Sequence, residues 1–135
     1  MRKLFFVLAM LLCGTAQAVE ETATNRLTGF DTVFDSDADH TAQVIKATKG
    51  NLYSLTVDNA DLASKIYIQL FDDTTSDVIV GTTTPVYVIP VPAGAMFDDR
   101  FLPPMSFKTA ITYAVTQTTT SGDVTEIITL SAGYK

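Results

Sequence analysis

The sequence predicts an all-β protein: an antiparallel β-sandwich, jelly-roll or immunoglobulin-like, of about seven to eight strands. Three observations lead there. Apolar residues recur with period 2 in several short runs, and beyond the first stretch of the chain no segment keeps a period of 3.6. Turn-forming clusters such as Lys49-Gly50-Asn51, Asp58-Asn59, Asp72-Asp73 and Ser121-Gly122-Asp123 separate the runs. Threonine is abundant, and its branched Cβ and hydroxyl suit the wet face of a pleated sheet.

The elements follow in order. Residues 1–18 read as a signal peptide: Arg2 and Lys3 are its basic start, residues 4–12 its apolar stretch, and Ala16-Gln17-Ala18 its cleavage site. The apolar stretch is too short to span a bilayer, which takes about 20 residues, so no stable membrane insertion is expected after cleavage. The expected location is outside the cytoplasm: periplasmic, extracellular or on a virion surface. Cys13 is the sole cysteine and leaves with the leader, so the exported chain is expected to be disulfide-free. From Val19 onward, 7 basic residues face 15 acidic ones, a net charge of 7 − 15 = −8. Such a surface repels phosphate backbones and anionic lipid, so nucleic acid is not an expected partner. Residues 19–26 are polar and expected to be mobile. Residues 27–135 are expected to form the one β-sandwich domain.

Residues 27–34 and 42–48 give the first two strands. Tyr53, Leu55 and Val57 alternate with Ser54 and Thr56 in a third, which puts Tyr53 on the core face. Ile66, Ile68 and Leu70 alternate with Lys65, Tyr67 and Gln69 in a fourth. Residues 85–91 form a fifth, Ile111, Tyr113 and Val115 mark a sixth, and residues 124–130 a seventh. An eighth is expected around Ser106-Phe107 or at Val78-Ile79-Val80. Thr82-Thr83-Thr84 and Thr118-Thr119-Thr120 read as exposed loops.

No catalytic motif stands out, and no enzyme is expected. His40 is the only histidine, and a hydrolase triad would need a nucleophile context such as Gly-x-Ser-x-Gly, which the chain lacks. Asp35, Asp37 and Asp39 set three carboxylates at alternate positions, a pattern that suits Ca²⁺. Counted from Asp35, however, an EF-hand loop needs glycine sixth and glutamate twelfth, where His40 and Lys46 stand. A solvated acidic turn is the simpler reading and calcium the sharper one; no other cofactor is expected. Asp72-Asp73 and Asp98-Asp99 read as turns, because adjacent residues on a strand point to opposite faces and cannot form a glycosidase pair. Tyr67 and Tyr87 are the tyrosines expected on the surface, where aromatic rings suit a glycan.

Residues 84–94, TPVYVIPVPAG, mix strand formers with Pro85, Pro90 and Pro92. Proline lacks the N–H that a sheet interior requires, so this strand is expected at a sheet edge, where the prolines also limit uncontrolled strand addition. The succession LYSLTVDN, KIYIQLFD, VGTTTPVYVIPVPAG and FKTAITYAVTQTT, over roughly residues 50–120, resembles a small β-domain common in tailed-bacteriophage genomes. That resemblance implies a virion structural domain with no catalytic residues to carry over. The chain departs from the pattern in its signal peptide and in FDDRFLPP, residues 97–104, where the family is often glycine-rich.

The expected function is a non-catalytic structural or interaction module: a surface-exposed assembly or decoration protein. It is expected to be homo-oligomeric or to assemble on a particle or fibre, with Tyr67, Pro85, Tyr87, Pro90 and Pro92 at the interaction surface. The alternative is a secreted module that binds a glycan or another surface polymer.

Overall fold

The computed structural model describes residues 23–25, 29–122, 124 and 128–135. The expected signal peptide lies outside them. The described residues form nine strands: β1 (Ala23–Asn25), β2 (Phe30–Ala38), β3 (Gln43–Lys46), β4 (Gly50–Asn59), β5 (Ile66–Phe71), β6 (Tyr87–Val91), β7 (Ala95–Phe107), β8 (Ile111–Thr116) and β9 (Ile128–Tyr134). One sheet has the order β1-β2-β9-β4-β7 and the other β3-β8-β5-β6. Every pairing is antiparallel.

The order has a simple origin. The bonded pairs β2·β9, β3·β8, β4·β7 and β5·β6 are the nested rungs of one long hairpin. Rolling that hairpin sends alternate rungs to opposite sheets. The contacts β4·β9 and β5·β8 then close each sheet. This is the jelly roll, and it decides against the immunoglobulin-like alternative. Short β1 extends the first sheet beyond β2, pairing Ala23 with Thr32 and Asn25 with Phe30.

The core lies between the sheets. It is built from Val33 of β2, Leu52, Leu55 and Val57 of β4, Ile66, Ile68 and Leu70 of β5, Ile111, Tyr113 and Val115 of β8, and Ile128, Leu130 and Ala132 of β9. Each fully buried aliphatic side chain contributes about 1.5–3 kcal/mol, and no disulfide assists. The Tyr113 hydroxyl crosses the layer to donate to Asp35 on β2, a charge-assisted bond that ties the sheets together. At one end of the roll, buried Asn59 donates from Nδ2 to the carbonyls of Pro92 (2.7 Å) and Ser64 (3.1 Å), with Val91 at 3.4 Å. Gly94 turns the chain from β6 to β7 at φ 65°, a conformation that suits glycine.

Several expectations change. The β4 ladder shifts register between Leu52 and Ser54, on both the β7 and β9 sides. Against β9, where Gly133 and Tyr134 are consecutive, Tyr53 is the extra residue, so it leaves the face it would share with Leu55. It is half-buried on the outside of the five-stranded sheet, not in the core. The strand expected near Ser106-Phe107 exists but runs from Ala95 to Phe107, thirteen residues. Asp98 and Asp99 therefore lie inside a strand, not in a turn. Val78-Ile79-Val80 is not a strand. Residues 72–86 fold over the outer face of the four-stranded sheet, where Val78 and Val80 pack on Phe71 and Ala114. That cover explains why all six residues of β8 are buried, outward-facing Thr112, Ala114 and Thr116 included. Among the described residues the last strand spans Ile128–Tyr134, and Val124 lies outside it.

Candidate functional site

The acidic stretch was the first candidate. Asp35 Oδ1 accepts from the Asp37 N–H at 2.9 Å, and its other oxygen takes the Tyr113 hydroxyl. Asp39 Oδ1 accepts from the N–H (2.7 Å) and hydroxyl (2.5 Å) of Thr41. Partial burial would raise the Asp39 carboxyl, but the Thr41 bonds, helped by Gln43 and His40, hold it below the usual carboxylate value. Asp35, Asp37 and Asp39 do not converge. Among the described residues no three His, Cys, Asp or Glu side chains form a group that could hold a metal ion.

The proline-bearing strand is the second candidate. β6 bonds only to β5 and forms the edge of its sheet, as Pro90 within it and Pro92 just beyond it require. Pro85 precedes it, and Val86 N–H donates to the Leu70 carbonyl to start the pairing. Tyr67 pairs opposite Pro90 on the outer face, with Lys65 Nζ 4.8 Å from its ring centroid. Tyr87 pairs opposite core residue Leu70 and so lies on the other face, its ring edge-on to Phe107 of β7 at 6.1 Å. The two tyrosines therefore do not share one platform.

Edge strands β6 and β7 lie beside each other at the open side of the roll. Among the described residues, five of the seven large apolar side chains left exposed belong to this rim: Val86 (50%), Tyr87 (40%), Val88 (38%), Met96 (62%) and Leu102 (89%). Val88, opposite Gln69, faces outward from the four-stranded sheet and Met96, opposite Asp58, from the five-stranded one, so these side chains flank the rim on both faces, and unpaired edges invite association.

A third site was not among the expectations. Thr32 of β2, Gly133 of β9, Ser54 of β4 and Arg100 of β7 are direct cross-strand neighbours. They form one row on the outer face of the five-stranded sheet. Phe30 and Tyr53 flank the row with ring centroids 4.5 Å apart and planes inclined at 55°. Between Leu52 and Ser54 on β4, β7 runs through Phe101-Leu102-Pro103-Pro104, with a cis bond at Leu102–Pro103, and Leu102 overhangs the row. The result is a groove of about 390 Å³ lined by the row, the two rings, Phe101 and Leu102. Further along the same face, the Thr56 hydroxyl donates to Asp98 at 2.8 Å.

No protein-family model, curated protein or solved structure matches the chain.

The signal for the groove was faint. Gly133 was hidden in a short C-terminal stretch, and the Tyr53 bulge cannot be read from a period-2 pattern. FDDRFLPP marked the site only as an interruption. The two threonine runs, by contrast, were both read as loops, and they meet: Thr82, Thr83, Thr84, Thr119 and Thr120 line one shallow polar cleft.

Proposed function

We propose that the domain is a non-catalytic, exported assembly or decoration module that associates through the β6–β7 rim. The observation that carries this reading is the concentration of exposed apolar side chains on two adjacent edge strands. The likeness of residues 50–120 to phage virion β-domains supports it. So does the roll itself, since jelly rolls serve as coat and lectin domains, an analogy of fold alone. Pro90 and Pro92 restrict continuous strand addition along β6, so association rests on side-chain packing rather than on an extended sheet.

The test is sedimentation of the exported chain from about 1 to about 500 µM, beside the double variant Val86→Lys, Val88→Lys. The wild type is expected to self-associate and the variant to remain monomeric with an unchanged β spectrum. A wild-type chain that stays monomeric throughout, and coats no particle or fibre, removes the reading.

A further inference from the structure

We infer that the groove over the Thr32–Gly133–Ser54–Arg100 row binds a carboxylated sugar, a hexuronic acid unit of a polysaccharide. This site lies on the outer face of the five-stranded sheet and shares only Leu102 with the β6–β7 rim, and the inference does not depend on assembly at that rim.

The floor of the groove is open because of Gly133. A Cβ at that position would stand 2.6 Å from Ser54 Oγ, so any other residue brings a side chain into the space a ligand would fill. The row crosses four strands, and at the usual strand spacing it is about 14 Å long, room for a short oligosaccharide. Its volume falls within the range of small-ligand sites, and its lining is a mainly apolar frame with a few polar groups, the usual composition of such sites.

Three features together select the ligand. The tilted Phe30–Tyr53 pair offers an aromatic surface that suits the C–H face of a pyranose. Thr32 and Ser54 line the floor within the same row, and Ser54 Oγ, beside Gly133, is a polar group suited to ring hydroxyls. Arg100 closes the β7 end and, among the described residues, is the only charged one in the lining. Its planar fork fits a carboxylate with two parallel bonds. A purely aliphatic ligand would bury the Arg100 guanidinium against apolar surface, which costs more than it gains. A polyphosphate or polysulfate packs its charges more densely and would meet Asp98, two residues from Arg100 on the same face, on a chain of net charge −6. One carboxylate per ring on a hydroxylated, partly apolar body satisfies all three features.

The experiment is calorimetric and NMR titration of the exported chain with trigalacturonate and, in parallel, with neutral maltotriose. Trigalacturonate is expected to bind saturably and to shift the amides of Gly133, Ser54 and Arg100, with maltotriose at least tenfold weaker. Arg100→Gln is expected to lose at least tenfold in trigalacturonate affinity while keeping its melting temperature, since Arg100 is exposed. Tyr53→Leu, which keeps the apolar bulk, is expected to weaken both sugars. The inference is overturned by absence of saturable binding up to about 10 mM (a Kd too weak to matter), by equal binding of the two sugars, or by an Arg100→Gln variant that binds like wild type. It is overturned equally if Tyr53→Leu dissociates a dimer, because the groove would then belong to a second copy of the chain.

Discussion

Asn59 provides the sharpest test of how the roll is held together. Its side chain is 1% exposed, and its Nδ2 serves carbonyls from two separate segments, Ser64 and Pro92, while its Oδ1 is buried without a hydrogen-bond partner. Asn59→Asp keeps the shape and replaces the donor with a second acceptor. At pH 7 the variant loses two hydrogen bonds of about 1 kcal/mol each and leaves the carbonyls facing a buried carboxylate. The combined cost is about 3–5 kcal/mol, a large share of the roughly 5–15 kcal/mol that holds a domain of this size. With a urea slope of about 1.5 kcal/mol per molar, the midpoint falls by about 2–3 M. The sign of the pH dependence follows. Burial against carbonyl oxygens raises the new carboxyl in the folded state above its unfolded value of about 3.9. The penalty is therefore smallest below that value, where a protonated oxygen restores one donor. It grows as pH rises, by about 1.4 kcal/mol per unit, until the folded group ionises. Urea melts at pH 4 and pH 7 measure both quantities. A loss below about 1 kcal/mol at pH 7, or one that does not change with pH, would refute the assignment of Asn59 as the clamp.

Three further outcomes are expected. Asp72 accepts the N–H groups of Lys108 (2.8 Å) and Thr109 (2.7 Å) at the β7–β8 turn. Partial burial would raise its carboxyl, but these bonds, that of Ala110 and the Lys108 charge hold it below the usual value. Its stabilisation is thus present above the unfolded value of about 3.9 and disappears as pH falls through the lower folded value; the stability gap between wild type and Asp72→Ala, followed by thermal melts, should close over that window. Tyr113→Phe removes the hydroxyl that bridges to Asp35 and should cost about 1.5–3 kcal/mol in denaturant melts, with no change in β content; a neutral result would mean that the bridge adds nothing to the packing of the ring. Millimolar Ca²⁺ or EDTA should leave the melting temperature unchanged, because a ligand of the native state must raise it; a calcium-dependent rise would reinstate the acidic stretch as a site.

The alternation of Ile66, Ile68 and Leu70, and of Ile111, Tyr113 and Val115, was legible because a sandwich strand shows one face to the core and its side chains repeat every two residues. Pro90 and Pro92 announced an edge for the same kind of local reason, a missing donor. β7 was not legible. An edge strand with an outer solvent face carries Asp98, Asp99, Arg100, Pro103 and Pro104 without penalty, so its composition reads as a loop. Residues 72–86 misled in the other direction: Val78 and Val80 are apolar because they cover a sheet, not because they belong to one.

The sequence by itself determined the all-β class, most of the inward-facing side chains and the edge position of β6, since each depends on local periodicity and backbone chemistry. Only the tertiary structure decided the jelly-roll order and the partners brought together across distant strands. Thr32, Ser54, Arg100 and Gly133 become one row through register between strands far apart in the chain, and a single inserted residue at Tyr53 sets which side chains face outward. Register is a property of the pairing, and no one segment contains it.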